Sequence, residues 1–361
     1  MSNVEDQDEN DDAGEGLDPR LEAGWEALAD GDVEKAREAA KACAFIEELR
    51  PEALMLEAAC CREEGDVAAA LEVLRKVVKA DPEWCDPELW TAELLLDEAE
   101  DLDEALRHAR RALDLAEEED EYLAAVGVKA AIELALDRPT EARRTLKGLP
   151  PPEAALGDSA RAIELGHLLI DVGAPAEART RMETVLRDEP DNADAWYLLG
   201  AASEIVGDEA RKREAWVRTR ELDLAAADGG GALGEDPAGG ARLSEARLVE
   251  LAEETLEELP PDIRQHLKNV PIIVAEVPAA ADVAAGLDPR LLGMFHGASH
   301  AETGATDSVP ALTEIVLFRS NIERVAADED DVRAEVQITL LHEAGHYFGL
   351  DEAALERLDL D

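Results

Sequence analysis

Hydrophobic and polar residues follow a helical period through most of the chain up to residue 226, and short turn signals interrupt it at regular intervals. Five of these signals, each rich in Gly, Asp or Pro, precede a helical stretch with an early alanine; the alanines are Ala36, Ala70, Ala105, Ala142 and Ala178. Their spacings are 34, 35, 37 and 36 residues. This period predicts stacked helical hairpins, in which a small residue lets two helices cross closely.

The last of these units is the most regular. The segment PDNADAWYLLG, residues 190–200, runs into Gly207-Asp208 and closely resembles the tetratricopeptide repeat consensus. Trp25 and Trp90 stand near equivalent points of earlier first helices, where we interpret them as packing anchors. The resemblance implies about six repeats in residues 17–226, with a concave face suited to a peptide or a helix. A peptide or protein client is therefore the expected partner.

Two segments lack any pattern that would build a core. Residues 1–16 are almost entirely acidic, polar or glycine, which predicts a disordered acidic tail. Residues 227–243 are rich in glycine and predict a flexible linker. We therefore expect the repeat array and the C-terminal domain, residues 244–361, to be tethered and not fused into one rigid body.

The C-terminal domain mixes the helical and strand patterns. A helix is predicted from Ser244 to the prolines at 260–261, and buried strands are predicted at 270–277 and 312–318. The segment 278–310 between the strands is rich in Gly, Ala and His and is expected to wrap a cleft. Val332, Val336 and Leu340 recur every four residues along one face of a final helix, whose start Asp330 or Asp331 can cap.

That final helix carries a possible metal site. His342 and His346 are four residues apart, so both side chains leave the same side of a helix and can bind one metal ion. Glu343 lies one position round from this pair, where it can act as the general base. Gly349 can end the helix, and Glu352 beyond the turn can supply a third ligand. This arrangement predicts a tetrahedral zinc ion with one position open for water.

Residues from about 244 to the C-terminus resemble the small bacterial zincin-like metallopeptidases, which carry the HExxH helix near the chain end. The matching segments outside the motif are 258–260, 267–274, 291–297 and 315–319. The resemblance implies a zinc-dependent hydrolase on a minimal α+β fold, within a chain that is mostly α. The family pattern ends in two adjacent acids; we favour Glu352 as the ligand, with Asp351 as the alternative.

The expected reaction is peptide-bond hydrolysis, in which Glu343 takes a proton from a zinc-bound water that attacks the carbonyl. The oxyanion needs a further donor, and the candidates are His296, His300, Arg319 and Tyr347. By analogy with zincins, the strand that ends at Phe318 would present its edge to an extended substrate.

Charge and composition limit the partners and the cellular compartment that we expect for this protein. Asp and Glu number 86 against 35 Lys and Arg, a net charge of −51, which repels nucleic acid and anionic membranes. The sequence contains no secretory signal and no long apolar run. The four cysteines, Cys43, Cys60, Cys61 and Cys85, form no CxxC pair and are expected as small core residues. These features predict a cytoplasmic protein.

One alternative function remains open at this point. The repeats extend over more than half of the chain, so the protein could be a non-catalytic scaffold that carries a structural or latent metal domain. The intact Glu343 favours the peptidase, with the array recruiting its client.

Overall fold

The computed structural model describes residues 17–99, 101–154, 157–228, 243–258, 270–296, 314–326 and 328–347. The predicted tail and most of the predicted linker, residues 229–242, lie outside these ranges. The chain is mostly α, with a helical array in its N-terminal part and a small α+β region in its C-terminal part, as predicted. The described residues form two compact units: the first ends at residue 174, and the second comprises the residues from 175 onward together with 152–154.

In the described part of the first unit, nine helices follow one another. They are α1 Pro19–Ala29, α2 Val33–Cys43, α3 Arg50–Glu63, α4 Val67–Ala80, α5 Cys85–Asp97, α6 Leu102–Leu115, α7 Glu119–Ala135, α8 Pro139–Leu146 and α9 Ser159–Asp171. Helix α1 packs against α2, and the pairs α3 and α4, α5 and α6, and α7 and α8 do the same. Successive helical hairpins therefore build this unit, as the period predicts.

The turn signals close these hairpins. Gly65 has φ +73° between α3 and α4, a left-handed conformation that glycine adopts without strain. The Asp66 carboxylate then caps α4 by accepting a hydrogen bond from the Ala69 backbone N–H at 3.0 Å. In the third hairpin Asp101 both adopts the left-handed conformation, with φ +35°, and caps α6. Its carboxylate accepts a 3.0 Å hydrogen bond from the Glu104 N–H.

The recurring alanines lie where the period places them. Each has no exposed surface; they are Ala36, Ala70, Ala105, Ala142 and Ala178. Gly24 on α1 shows how close the helices are, because a Cβ added there would lie 2.9 Å from the Ala39 Cβ of α2. Small side chains are therefore a steric requirement of the hairpins.

Gly24→Ala tests this requirement. The added Cβ would lie 2.5 Å from Leu56 Cδ2 and 2.9 Å from Ala39 Cβ. Overpacking costs about 1–3 kcal/mol, while alanine in a helix is about 1 kcal/mol better than glycine. We therefore expect the free energy of unfolding to fall by about 1 kcal/mol in urea titrations followed by circular dichroism.

Gly127→Ala on α7 is the matched control, because its added Cβ would meet only Leu165 Cδ2, at 3.4 Å. There the helical preference of alanine should raise the free energy of unfolding by up to about 1 kcal/mol. Equal shifts in the two variants would contradict the packing argument.

The described part of the second unit contains three more long helices, a sheet and its covering helices. Its elements are α10 Pro175–Asp188, α11 Ala193–Ile205, α12 Glu209–Asp228, α13 Glu245–Glu258, β1 Ile272–Ala275, α14 Ala280–Ala285, β2 Gly293–His296, β3 Glu314–Phe318, α15 Arg319–Val325 and α16 Glu329–Tyr347. In the described sheet the strand order is β1-β3-β2. Strand β3 pairs in parallel with β1 and antiparallel with β2.

Helices α13 and α16 share one apolar core with the sheet. Leu248 and Leu251 of α13 and Val336 and Leu340 of α16 are at most 1% exposed and cluster with Ile315 of β3. The predicted face of the final helix is thus confirmed. Its predicted cap is wrong, because Asp328 accepts hydrogen bonds from both the Asp330 and Asp331 N–H groups at 2.9 Å.

The strand predictions are confirmed in part. The two predicted strands contain β1 and β3, but the predicted wrapping segment 278–310 also holds α14 and β2, while residues 297–313 lie outside the described part. Strand β2 has only four residues and begins with Gly293, so it carries no alternating pattern. Only its pairing with β3 identifies it as a strand.

Strand β3 is the central strand of the described sheet, with β1 on one side and β2 on the other. The prediction that β3 presents a free edge to a substrate is therefore wrong.

The last repeat hairpin packs against part of the C-terminal region. Helix α12 continues through residues 227 and 228, where the linker was expected to begin, and packs against α14. Arg220 of α12 donates a 2.6 Å hydrogen bond from Nε to the carbonyl oxygen of Pro278. Most of the predicted linker, residues 229–242, lies outside the described part, so its flexibility stays a prediction.

The four cysteines are buried, as predicted, and the structure contains no disulfide between them. Burial raises the pKa of the Cys60 and Cys61 thiols. It also raises the pKa of the Cys85 thiol, to about 12. They act as small core residues. No helix within the described ranges is long and apolar enough to cross a membrane.

Candidate metal centre

The HExxH motif lies in the last turns of α16. His342, Glu343 and His346 all fall within the helix, which ends at Tyr347. Residues four apart on a helix have Cβ atoms about 5–6 Å apart, which suits two ligands of one metal ion. The His342 side chain is half-buried. The side chains of Glu343 and His346, together with Asp351 and Glu352, lie outside the described part of the chain, so their roles stay predictions.

The donor set fits zinc in its chemistry. Two imidazoles from one helical turn and one carboxylate are a common ligand set for catalytic zinc. Within the described side chains, no group of three or more His, Cys, Asp or Glu could hold a metal. Only His342 of the predicted set is among those side chains, so this observation does not test the predicted centre.

Helix α16 is fixed mainly by its apolar face. Val336 and Leu340 are fully buried against α13 and the sheet. Arg333 adds an ion pair to Glu254 of α13, with 2.6 Å between Nη2 and Oε2. Such partly exposed pairs contribute little on their own, so core packing sets the position of the histidine pair.

Strand β2 passes directly beside α16, which carries the predicted metal ligands His342 and His346 and is called the metal helix below. A Cβ added at Gly293, the first residue of β2, would lie 2.5 Å from Thr339 Cγ2 of α16 and 3.0 Å from the Val316 carbonyl oxygen. Thr339 precedes His342 by three residues. In the described sheet β2 is an edge strand that pairs only with β3. The glycine therefore allows an edge strand to run against the helix that carries the motif.

Of the four candidate oxyanion donors, only Arg319 has a side chain in the described part of the chain. Arg319 donates through Nε and Nη2 to Glu276, and through Nη1 to the Leu243 carbonyl oxygen at 3.0 Å. These bonds use three of the five guanidinium N–H groups, so the role of Arg319 as an oxyanion donor stays a prediction. His296 ends β2 and Tyr347 ends α16, but their side chains, like all of His300, are outside the described part.

A second group of polar and aromatic side chains lies on the first helices of the repeats. Trp25 of α1 and Trp90 of α5 meet edge to face, with ring centroids 6.4 Å apart. Both also pack against the core, as predicted. The Arg62 guanidinium of α3 stands 5.0 Å from the Trp90 centroid. Burial raises the pKa of the nearby Glu93, against the attraction of Arg62. Arg62 and Glu93 belong to no recognisable motif, so the sequence alone did not identify them as candidate functional residues.

The fold and the motif define the class of protein: helical repeat hairpins joined to a small α+β domain with an HExxH helix. Residues 267–361 match the family model described as zincin-like metallopeptidase. Residues 21–83 and 163–218 match the family model described as tetratricopeptide repeat. The chain thus carries tetratricopeptide repeats in its N-terminal region and a zincin-like metallopeptidase domain at its C-terminal end.

Solved structures similar to the chain include several tetratricopeptide repeat proteins. One such protein from Thermus thermophilus, TTC0263, is 22% identical, with a TM-score of 0.40 over 52% of this chain and 98% of its own. PilF of Pseudomonas aeruginosa is 17% identical, with a TM-score of 0.46 over 57% of this chain and 91% of its own. The search of curated proteins found no match.

Gly293→Ala tests the contact between β2 and the metal helix. The added Cβ would collide with Thr339 Cγ2, so we expect the free energy of unfolding to fall by about 2 kcal/mol through overpacking. Thr339→Ser removes that methyl group. The double variant should therefore recover about half of the loss, the rest being due to the Val316 carbonyl oxygen.

Thr339→Ser alone is the control for this cycle, and urea unfolding of all four proteins is the measurement. If the two single effects simply add in the double variant, the close approach of β2 to α16 is not responsible for the loss.

Proposed function

We propose that the protein is a zinc-dependent metallopeptidase and that its repeat array recruits a peptide or protein client. The main support is the position of the motif: His342, Glu343 and His346 lie on one helix, beside an edge strand, within the region that matches the zincin-like family. His342, His346 and Glu352 would hold the metal, with Asp351 as the alternative third ligand.

Each residue has a distinct task in this proposal. The metal, when bound, would polarise the scissile carbonyl and acidify a water molecule. Glu343 would accept the proton of the attacking water and then return it to the leaving amine as the peptide bond breaks. Glu343 must therefore be free to accept and release a proton, whereas the third ligand, Glu352 or Asp351, must stay bound to the metal.

The edge of β2 is the proposed position of the substrate backbone. Among the described strands, β2 pairs only with β3, and we propose that the backbone N–H and C=O groups on its other side pair with an extended peptide. Because β2 packs against α16 at Thr339, a peptide on this edge would run close to His342. This assignment replaces β3, whose two sides are both paired.

The repeats are the proposed site of client recruitment. Trp25, Arg62 and Trp90 form a partly exposed group on three consecutive first helices, and aromatic residues are frequent anchors in protein interfaces. The net charge of −51 favours a client with basic residues. This arrangement would bring a chosen protein to the peptidase, unlike a general digestive protease.

Zinc content and cleavage together test the catalytic part. We expect one zinc per wild-type chain by mass spectrometry and its loss in His342→Ala, His346→Ala and Glu352→Ala. Glu343→Ala should keep the metal but cleave a peptide library about a hundredfold more slowly or worse. Glu335→Ala, the same change two turns earlier on α16, is the control and should leave both unchanged.

The outcomes separate the rival functions. Zinc without cleavage would favour a latent domain or one that needs its partner. Absence of zinc from the wild type would contradict the catalytic proposal and leave the non-catalytic repeat scaffold. Retention of zinc in Glu352→Ala but not in Asp351→Ala would assign the third ligand to Asp351.

Trp90→Leu tests client recruitment. Peptides would be selected from a random display library on the full chain carrying Glu343→Ala, so that bound peptides survive. Loss of an aromatic anchor should weaken their affinity about tenfold or more. Trp84→Leu is the control, because Trp84 packs in the same core cluster but precedes α5. Equal losses in the two variants would indicate general destabilisation and contradict a binding role for Trp90.

A further inference from the structure

A buried carboxylate joins the last repeat hairpin to the C-terminal region. Asp223 of α12 is 2% exposed, and Arg290 donates to it through Nε at 3.1 Å and through Nη2 at 3.2 Å. Arg324 of α15 places Nη2 at 2.8 Å from the same carboxylate. Two arginines from separate parts of the C-terminal region therefore converge on one acid of the repeat array. A buried charge is tolerated only when it is paired in this way.

Arg290 also contacts α11, the other helix of this hairpin. Its Nη1 lies 2.7 Å from Asp194 Oδ1, and its guanidinium stands 4.7 Å from the ring centroid of Tyr197. Burial alone would lower the pKa of Arg290, but Asp223 and Asp194 outweigh this and raise the pKa. The guanidinium is thus a permanent charge held between α11 and α12.

The residues just before Arg290 are fixed to the same hairpin. The Tyr197 hydroxyl donates to Asp288 Oδ2 at 3.0 Å, and the Arg290 backbone N–H donates to Asp288 Oδ1 at 2.7 Å. Asp288 is only partly exposed, and this burial raises the pKa of its carboxyl group. Segment 288–291 therefore packs closely on α11.

The opposite side of this segment contacts α15. Asn321, only 1% exposed, donates through Nδ2 to the carbonyl oxygens of Pro289 at 2.9 Å and of Leu291 at 2.8 Å. The next carbonyl oxygen, that of Leu292, accepts a 2.8 Å hydrogen bond from the Phe318 N–H at the end of β3. The segment is therefore clamped from both sides immediately before β2 begins at Gly293.

Strand β2 links this clamp to the metal helix. It starts two residues after Leu291, and its Gly293 lies against Thr339 of α16, close to His342 in sequence. We propose that Asp223, Arg290 and Tyr197 are positioning residues through which the last repeat hairpin holds β2 against the metal helix. The last repeat is then a structural part of the peptidase domain. The role of β2 as the substrate edge rests on the function proposed above; the clamp itself does not.

Hydrogen exchange of the full chain, read by mass spectrometry over residues 286–296, tests the clamp. Asp223→Asn keeps the shape of the side chain but leaves two arginines without their carboxylate. We expect exchange in this segment to become about tenfold faster or more, with helices α3 and α4 unchanged as the internal reference. Asp191→Asn is the matched control, because Asp191 forms an exposed pair with Arg218 and should have no effect.

Tyr197→Phe is a second, milder variant that tests the same clamp if Asp223→Asn does not fold. It removes one hydroxyl and keeps the ring, so exchange should accelerate by about threefold and only over residues 286–296. Unchanged exchange in both variants would overturn the proposal. So would equal acceleration throughout α11, α12 and α16, because that would show general destabilisation and not a local clamp.

Kinetics add a second readout if the wild type cleaves peptides. Tyr197→Phe should raise KM by about threefold with kcat nearly unchanged, since it disturbs the substrate edge and not Glu343. A fall in kcat alone would contradict the positioning role. If the wild type cleaves nothing but the exchange pattern holds, the proposed function fails and the clamp stands. If cleavage holds and the exchange pattern does not, only the clamp fails.

Discussion

The packing of α16 on the described part of the sheet is the contact on which the candidate metal centre depends. Val336 and Leu340 are buried in a core shared with α13 and β3, and this fixes both the position and the rotation of the helix. His342 and His346 belong to the same helix, so this packing also fixes the part of the backbone that carries them. The same packing brings α16 so close to β2 that only glycine fits at residue 293.

Small side chains play the corresponding role in the repeats. Ala36 and Ala70 have no exposed surface, and Gly24 lies too close to α2 for a Cβ to fit without a shift. The hairpins therefore need few aromatic residues in their core, which agrees with an aromatic content of only 3%. The edge-to-face pair of Trp25 and Trp90 packs against this core and remains partly exposed.

The last repeat hairpin and the C-terminal region meet through buried charge and not through apolar surface alone. Asp223 and Arg290 lie at a sequence separation of 67 residues, and their side chains are only 2% and 12% exposed. Such a pair adds little net stability compared with an apolar contact, but it tolerates few alternative arrangements. It therefore suits a junction at which the orientation of a strand matters more than the strength of binding.

The sequence by itself determined the features that repeat or lie close together along the chain. These are the hairpin period with its buried alanines, the apolar face of α16 and the HExxH spacing, because each depends on helical geometry over a few residues. Only the tertiary structure decided the strand order, the edge position of β2, the role of Asp328 as a cap and the contacts of Arg290 and Arg319. Most of these depend on partners many residues away, whose complementarity leaves no periodic signal in the sequence; the cap was misplaced because adjacent acids compete for one helix start.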